Sequence, residues 1–328
     1  MSLKGSRKID RRTFVGGAVA GISMLGMKAK ASEPGGDVPM RVFGKTGVKV
    51  TIIGQAGARL ALCRTKEVAR LQVQHARDRG VNFFDSARSY WGGHSEEVYG
   101  DVLPPYRKEI FLTTKSTQRT REGAEKELAQ SLAAMKTDYL DLWQVHGVQD
   151  QADVDKIFAP GGAMEAFEAA KKAGKCRFIG FTGHHDPATH VAMLKAYDKW
   201  DSILMPLHAA DPAYMSFQEQ VLPIAVERGM AIQAMKVFGN AFLLRVLSVE
   251  ECLRYSLSLP VHVATLGCSS PGQLDDDIRV AQNFKPYTPE EMQEVARMAV
   301  TAGPGGLKGP ALEYWKVGGL SFVNGVWK

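Results

Sequence analysis

Eight short apolar runs, separated by longer amphipathic stretches, constrain this chain more than any other feature. The runs are VTIIGQA (50–56), NFFDSA (82–87), IFLTTK (110–115), DLWQVH (141–146), RFIGFTG (177–183), SILMPLH (202–208), MAIQAMKV (230–237) and HVATLGC (262–268). Helices are expected between them, near 65–79, 94–102, 121–136, 163–174, 187–199, 216–228, 248–259 and 271–283. In one of these, Ala124, Leu128, Leu132 and Met135 recur on a single helical face. A continuously apolar strand is one buried on both sides, and strand–helix alternation makes neighbouring strands parallel. Eight such units predict an α/β fold closed into a (β/α)8 TIM barrel. The rival, a doubly wound open sheet, carries a glycine fingerprint after its first strand, and Gly54-Gln55-Ala56-Gly57 is not one.

The barrel is assigned to residues 41–285. It begins with a hairpin, 41–43 and 48–50 around Gly44-Lys45-Thr46-Gly47. Residues 286–328 supply a helix near 288–302 and a Gly/aromatic tail expected to fold over one mouth. Residues 32–40 read as a Gly/Pro linker. Residues 1–31 have a basic region ending at Arg11-Arg12, a mildly apolar run from Phe14 to Met27, and the small residues Ala29 and Ala31 around Lys30. That order is the composition of a signal peptide, and the arginine pair before Thr13-Phe14-Val15 resembles the twin-arginine export signal. The expected address is the periplasm or another exported location, reached through the twin-arginine machinery and a signal peptidase. No internal run is long enough for a membrane span once the leader is removed.

Charge excludes nucleic acid as a partner. The net charge is +6, from 41 basic and 35 acidic residues. Positions 1–31 hold seven basic residues and one acid, so 34 of each sign remain and the body is formally neutral. The four cysteines, Cys63, Cys176, Cys252 and Cys268, form no C-x-x-C pair and read as small apolar residues. His146, His184, His185 and His208 do not form a convincing zinc set, and no metal is expected.

Barrel enzymes place their chemistry at the C-terminal ends of the strands. Here those ends are polar: Asp85, Lys115, His146, Thr182-Gly183-His184, His208 and Lys236. Asp85 and Lys115 lie on adjacent strands and can neutralise each other, which alone is as well explained by a structural ion pair. Tyr90 on the following loop and His146 on the next strand make four proton-handling groups at one rim, the pattern of a site.

The run NFFDSARSY with Asp85 and Tyr90, then TTK ending in Lys115, then DLWQVH ending in His146, resembles the aldo/keto reductase family. The likeness runs from about Arg41 to Asn283, with GGHSEEVYG, GFTGHH and CLRYSLSLPVHVATLGCSSPGQL as further pieces. The TGH turn and the Met235-Lys236 pair are similar to bacterial members. The resemblance implies an oxidoreductase that interconverts a carbonyl and an alcohol by hydride transfer. Tyr90 is then the proton donor, its pKa expected to be lowered by Lys115; Asp85 holds Lys115 charged, and His146 orients the substrate. By position, Ala56 and Gly57 underlie the nicotinamide, with Met235 in place of a stacking aromatic residue. Thr182 and Gly183 stand at the carboxamide, where Leu204 replaces a common Gln. Lys236 and Gly239 stand at the pyrophosphate. Gly267, Cys268, Ser269 and Ser270 precede the last helix, with Gln273 and Asp277 around the adenosine. Gln273 and Ser269 stand where NADP users often carry Arg, so NADP is the family expectation with NAD open beside it. Trp91 is expected in the substrate pocket. The substrate is a small carbonyl compound or a sugar. Because exported compartments hold little free NAD(P)H, an enzyme that retains its cofactor and cycles it internally is an alternative. A non-catalytic nucleotide-sensing subunit is the third reading.

Overall fold

The computed structural model describes residues 37–301 and 312–316, and the backbone of 322–323 and 326–327. The expected export signal at 1–31 and the first part of the expected linker lie outside the described residues, as does much of the tail. No helix among the described residues is long and apolar enough to cross a membrane.

A hairpin opens the fold, β1 (Met40–Val42) antiparallel to β2 (Lys49–Thr51). Eight parallel strands then close on themselves: β3 (Ile53–Ala56), β4 (Phe83–Asp85), β5 (Phe111–Ser116), β6 (Leu140–Val145), β7 (Cys176–Thr182), β8 (Ser202–Pro206), β9 (Ala231–Met235) and β10 (Val263–Leu266), with β10 pairing back to β3. The fold is the expected (β/α)8 barrel. Helices α1 (Lys66–Asp78), α2 (His94–Val102) and α3 (Arg121–Met135) follow the first strands. The side chains of Thr65 and Thr120 accept backbone N–H bonds at the starts of α1 and α3, which is why these helices begin where they do.

Two departures have local causes. Helix α4 (Gln151–Phe158), capped by Asp150, was not expected; only Val154 and Ile157 on it are buried, too few to write a period. It precedes α5 (Ala163–Lys172) and α6 (Pro187–Ala196). The single helix expected at 216–228 is two, α7 (Phe217–Gln220) and α8 (Leu222–Glu227), because Pro223 has no N–H to continue the ladder. Helices α9 (Val249–Ser258), α10 (Pro271–Gln282) and α11 (Pro289–Ala299) complete the set, with full capping boxes at Ser248 and Thr288.

The interior is layered. At the N-terminal end, Phe43 from the hairpin turn plugs the barrel against Phe83 and Phe111, with Val50, Leu142, Ala231 and Val263 around them. Above lies a layer of amides and hydroxyls: Gln233 donates to Gln144 at 3.0 Å and to Ser202 at 2.8 Å, and Gln144 donates to Thr113 at 3.1 Å. Above that, at the strands' C-terminal ends, stand the ionisable groups. All four cysteines are buried free thiols; Cys268 lies just beyond β10 rather than in it.

Candidate active site

β4 ends in Asp85, which pairs in register with Thr113, so Lys115 starts two residues higher on β5. Its side chain reaches across to place Nζ 2.7 Å from each Asp85 carboxylate oxygen and 2.6 Å from the Ser86 carbonyl. Both side chains are buried. Burial opposes the charge on Lys115, but Asp85 and Tyr90 outweigh it and its pKa is raised. The ammonium stays charged.

The loop after β4 carries Tyr90 above this pair. Arg88 N–H donates to the Lys115 carbonyl, and residues Trp91, Gly92 and Gly93 all have left-handed backbone, φ 51, 61 and 94. The bend admits the Arg88 guanidinium beside Gly93, where a Cβ would stand 1.7 Å from it. Arg88 pairs with buried Glu96, which also accepts a 2.6 Å bond from Thr114. The loop is thus tied to β5, and Lys115 Nζ lies 4.9 Å from the Tyr90 ring centroid. The Tyr90 phenol is not depressed as the resemblance implied. Burial pushes its pKa up, Lys115 pulls it down through charge and a hydrogen bond, Asp85 pushes it up, and the sum is upward. Burial of this kind is not readable from spacing.

His146 follows β6 and meets Tyr90 edge to face, ring centroids 5.4 Å apart. Its Nδ1 lies 3.3 Å from the Ser89 hydroxyl, and its carbonyl accepts from Arg119 at 3.0 Å. Burial, then the charges of Lys115 and Arg119, lower its pKa to about 3, so the imidazole is neutral. Such an arrangement can move a proton at the phenol and donate a hydrogen bond from an uncharged ring.

One cavity of about 1700 Å³ opens above these groups. That exceeds the roughly 300–1,000 Å³ of a single small-ligand site. Asp85, Tyr90, Trp91 and His146 line it, with Ala56 and Met235; Lys115 lies just beneath. Lys236, Gly267, Cys268, Ser269, Gln273 and Asp277 line it as well. Five expected residues do not. Gly57 packs on Ser95, where a Cβ would fall 2.1 Å from its hydroxyl, and Gly183 packs on Val148 and His190. Gly239 turns toward Leu243, Ser270 caps α10 through Gln273 N–H, and Thr182 sits behind the lining beside Leu204.

Residues 61–251 match the aldo/keto reductase family. The chain belongs to the aldo/keto reductase family. It is 29% identical over 154 residues to the uncharacterized oxidoreductase YqkF of Bacillus subtilis, covering 43% of this chain and 48% of that one. It is 30% identical over 159 residues to the L-galactose dehydrogenase of Arabidopsis thaliana, covering 44% and 49%. The chain thus spans about half the length of the curated relatives it matches. The holo form of aldo-keto reductase AKR11C1 from Bacillus halodurans superposes with a TM-score of 0.68 at 23% identity, over 80% of this chain and 96% of that one. That likeness carries the barrel.

A member of this family implies a nicotinamide cofactor, and the residues present fit one. One buried polar atom of a lining residue, His184 Nδ1, has no hydrogen-bond partner among the described residues. Burial and the neighbouring charge of Lys236 hold His184 well below its ordinary pKa, so it too is neutral. Arg59 and Lys236 give the cavity two basic groups suited to a pyrophosphate. Lys236 is drawn down to about 7 by burial and by Arg59. At the far edge, Ser269 N–H donates to Gln273 Oε1 at 2.9 Å, and the Cys268 thiol donates to Asp277 at 3.2 Å. Burial raises Asp277 to about 7. Arg59 and Asn240 line the cavity without having been anticipated as site residues, and Trp315 and Lys316 line it from the tail expected over one mouth. Arg59 and Asn240 follow barrel strands, positions that barrel logic flags.

Proposed function

We propose that this chain is a nicotinamide-dependent oxidoreductase that interconverts a carbonyl and an alcohol, with Tyr90 as general acid and base. The observation that carries this reading is the meeting of Asp85, Lys115, Tyr90 and His146 at the floor of one cavity large enough for a dinucleotide and a substrate. Bound there, the cofactor supplies or takes the hydride. Tyr90 gives its phenolic proton to the substrate oxygen in reduction and takes it back in oxidation. Its raised pKa keeps it protonated at neutral pH. Lys115 stabilises the phenolate as the proton leaves, charge that develops only in the reaction. Asp85 fixes Lys115, and neutral His146 donates to the substrate oxygen without competing as an acid.

NADP is the cofactor by family expectation. Asp276 and Asp277 put carboxylates at the far edge and Gln273 brings no guanidinium, which supports NAD. The ratio of kcat/KM with the two nucleotides decides. For the substrate, Gln149, Asp150, His184 and His185 make a polar wall beside His146, and Trp91 and Trp315 add flat apolar faces. A polyhydroxylated carbonyl compound such as a sugar suits that lining, and one relative is an L-galactose dehydrogenase. The paired arginines at positions 11 and 12 support a second reading. In it the enzyme is a bacterial protein exported through the twin-arginine machinery, is trimmed by a signal peptidase, and retains its cofactor. There it would oxidise one group of a sugar-like substrate and reduce another in turn.

Tyr90→Phe tests the chemistry. Turnover of aldehydes, ketones or sugars is expected to fall about a thousandfold while nucleotide binding, followed by fluorescence titration, is unchanged. Normal turnover in that variant removes Tyr90 from its role.

A further inference from the structure

Four ionisable side chains that this chemistry does not use are buried together beside the cavity. His208 and Asp211 come from the loop after β8; Glu313 and Lys316 come from the C-terminal segment 312–316. None is more than 2% exposed. Lys316 Nζ lies 2.7 Å from Asp211, 2.6 Å from Glu313 and 2.6 Å from the Tyr214 carbonyl. His208 Nε2 is 3.1 Å from Glu313. His208, Asp211 and Glu313 have the spacing of a metal-ligand trio. The chain's own ammonium already stands between the two carboxylates, so the cluster is an internal ion network.

An ammonium in that position cannot withdraw without stranding buried negative charge. Segment 312–316 is therefore pinned at its last residue. The residues just before the pin reach back over the mouth. Asn240 Nδ2 donates to the Tyr314 hydroxyl at 2.6 Å, and Asn240 Oδ1 accepts from Arg59 and from Lys236, each at 3.2 Å. Lys236 Nζ lies 5.3 Å from the Trp315 ring centroid, and His208 meets the same ring edge-on at 5.7 Å. Arg59 follows β3, Asn240 follows β9, and Lys316 is seated against the loop after β8. Arg59, Asn240, Trp315 and Lys316 all line the same cavity.

We propose that Lys316 is a positioning residue: inserted between Asp211 and Glu313, it holds Tyr314 and Trp315 as a strap, bridged through Asn240 to Arg59, that slows the release of a bound nicotinamide dinucleotide. This rests on the functional reading above. Arg59 and Lys236, the basic groups suited to the pyrophosphate, are the residues that Asn240 ties to the strap. The strap and the nucleotide thus share partners, and opening one loosens the other.

The test loads the purified full chain with NADH or NADPH and times loss of bound-nucleotide fluorescence after addition of excess oxidised nucleotide. Tyr314→Phe, which deletes the hydrogen bond from Asn240, is expected to speed release about fivefold. Lys316→Met is expected to speed it on the order of a hundredfold, since the pin itself is lost. Melting temperatures are read alongside, because a purely structural role lowers them and leaves release unchanged. Unchanged release in both variants overturns the proposal. If Lys316→Met does not fold, Tyr314→Phe decides: faster release supports the strap and unchanged release overturns it. Wild-type protein that binds neither nucleotide overturns the functional reading and the strap together, whereas tight binding with indifferent variants overturns the strap alone.

Discussion

At the N-terminal end of the barrel the inward side chains of β4, β5 and β6 are Phe83, Phe111 and Leu142; two to four residues further along the same paths they are Asp85, Lys115 and His146. The lower end is a stack. Phe83 and Phe111 lie ring on ring at 5.2 Å, Phe178 extends the stack, and Phe43 closes it from the hairpin. Each such side chain contributes roughly 1.5–3 kcal/mol by leaving water. The upper end removes two charges and an imidazole from water, and only pairing makes that tolerable. Within one barrel, then, one end supplies stability and the other consumes it. The amide layer of Gln144 and Gln233 separates them, so that apolar contacts below and ionic contacts above do not share atoms.

The sharpest way to break this contrast is to remove one charge at the top. Lys115→Met leaves Asp85 buried without its cation and Tyr90 without its phenolate partner. Turnover is expected to fall on the order of a thousandfold or more. Stability is expected to fall by about 3–5 kcal/mol as the stranded carboxyl takes up a proton. Activity assays and denaturant melts check the two parts separately. A variant that keeps its turnover would reduce the pair to a structural one.

The matching change at the bottom is Phe111→Ala. It opens a cavity in the stack and is expected to cost about 3–5 kcal/mol, as large a stability loss as the first. Yet kcat/KM of the folded fraction should hold, because the amide layer insulates the mouth. Loss of activity per folded molecule would show that the two ends are mechanically coupled.

What was legible in the sequence follows the same division. Barrel strands are apolar on both sides, so β3 to β10 appear as runs whose limits match within a few residues. Helices α1 and α3 begin within a residue of their expected limits, where Thr65 and Thr120 cap them. The barrel reading placed Asp85, Lys115 and His146 at consecutive strand ends with Tyr90 on the loop after the first of them, and parallel strands bring consecutive ends together. Contacts between distant parts were not legible. Lys316 and Asp211 stand 105 residues apart, and no period records that pairing. Nor does spacing say which way a strand-end side chain turns: Thr182 occupies the expected position but is not in the lining. The sign of the Tyr90 shift was missed because burial, not the neighbouring ammonium, is the larger effect.

A third, smaller effect sits at the far edge of the mouth, where Asp277 is buried and has no cationic partner among the described residues. Its pKa in the folded protein is about 7, against an ordinary 3.8. The folded chain therefore binds this proton more tightly than the unfolded one. Below about pH 4 both forms are protonated and the carboxyl costs nothing; as pH rises toward 7 the unfolded chain ionises freely and the folded chain does so at a cost. Melting temperature is expected to fall with rising pH across that window. Asp277→Asn should flatten the dependence and stabilise the protein at pH 8 by on the order of 1–3 kcal/mol. Equal melting curves for variant and wild type from pH 4 to 8 would mean that water reaches the carboxyl.

The smallest change sharpens the contrast at a single position. Gln273 stands in the first turn of α10, where its side-chain oxygen takes the Ser269 N–H, and Ser270 separately caps the helix. Gln273→Arg therefore removes two local bonds, from the Ser269 N–H and hydroxyl, keeps the cap, and places a guanidinium fork at the cavity edge beside Asp276 and Asp277. A fork of that shape recognises a phosphate by two parallel hydrogen bonds, and a ribose hydroxyl offers it no such partner. The ratio of kcat/KM for NADPH to that for NADH is expected to rise about tenfold, through KM for NADPH, with kcat little changed. Nearby carboxylates pull the other way by pairing with the new cation, which keeps the gain modest. If instead both nucleotides gain or lose alike, the adenosine does not lie at this edge, and the cavity is being read from the wrong end.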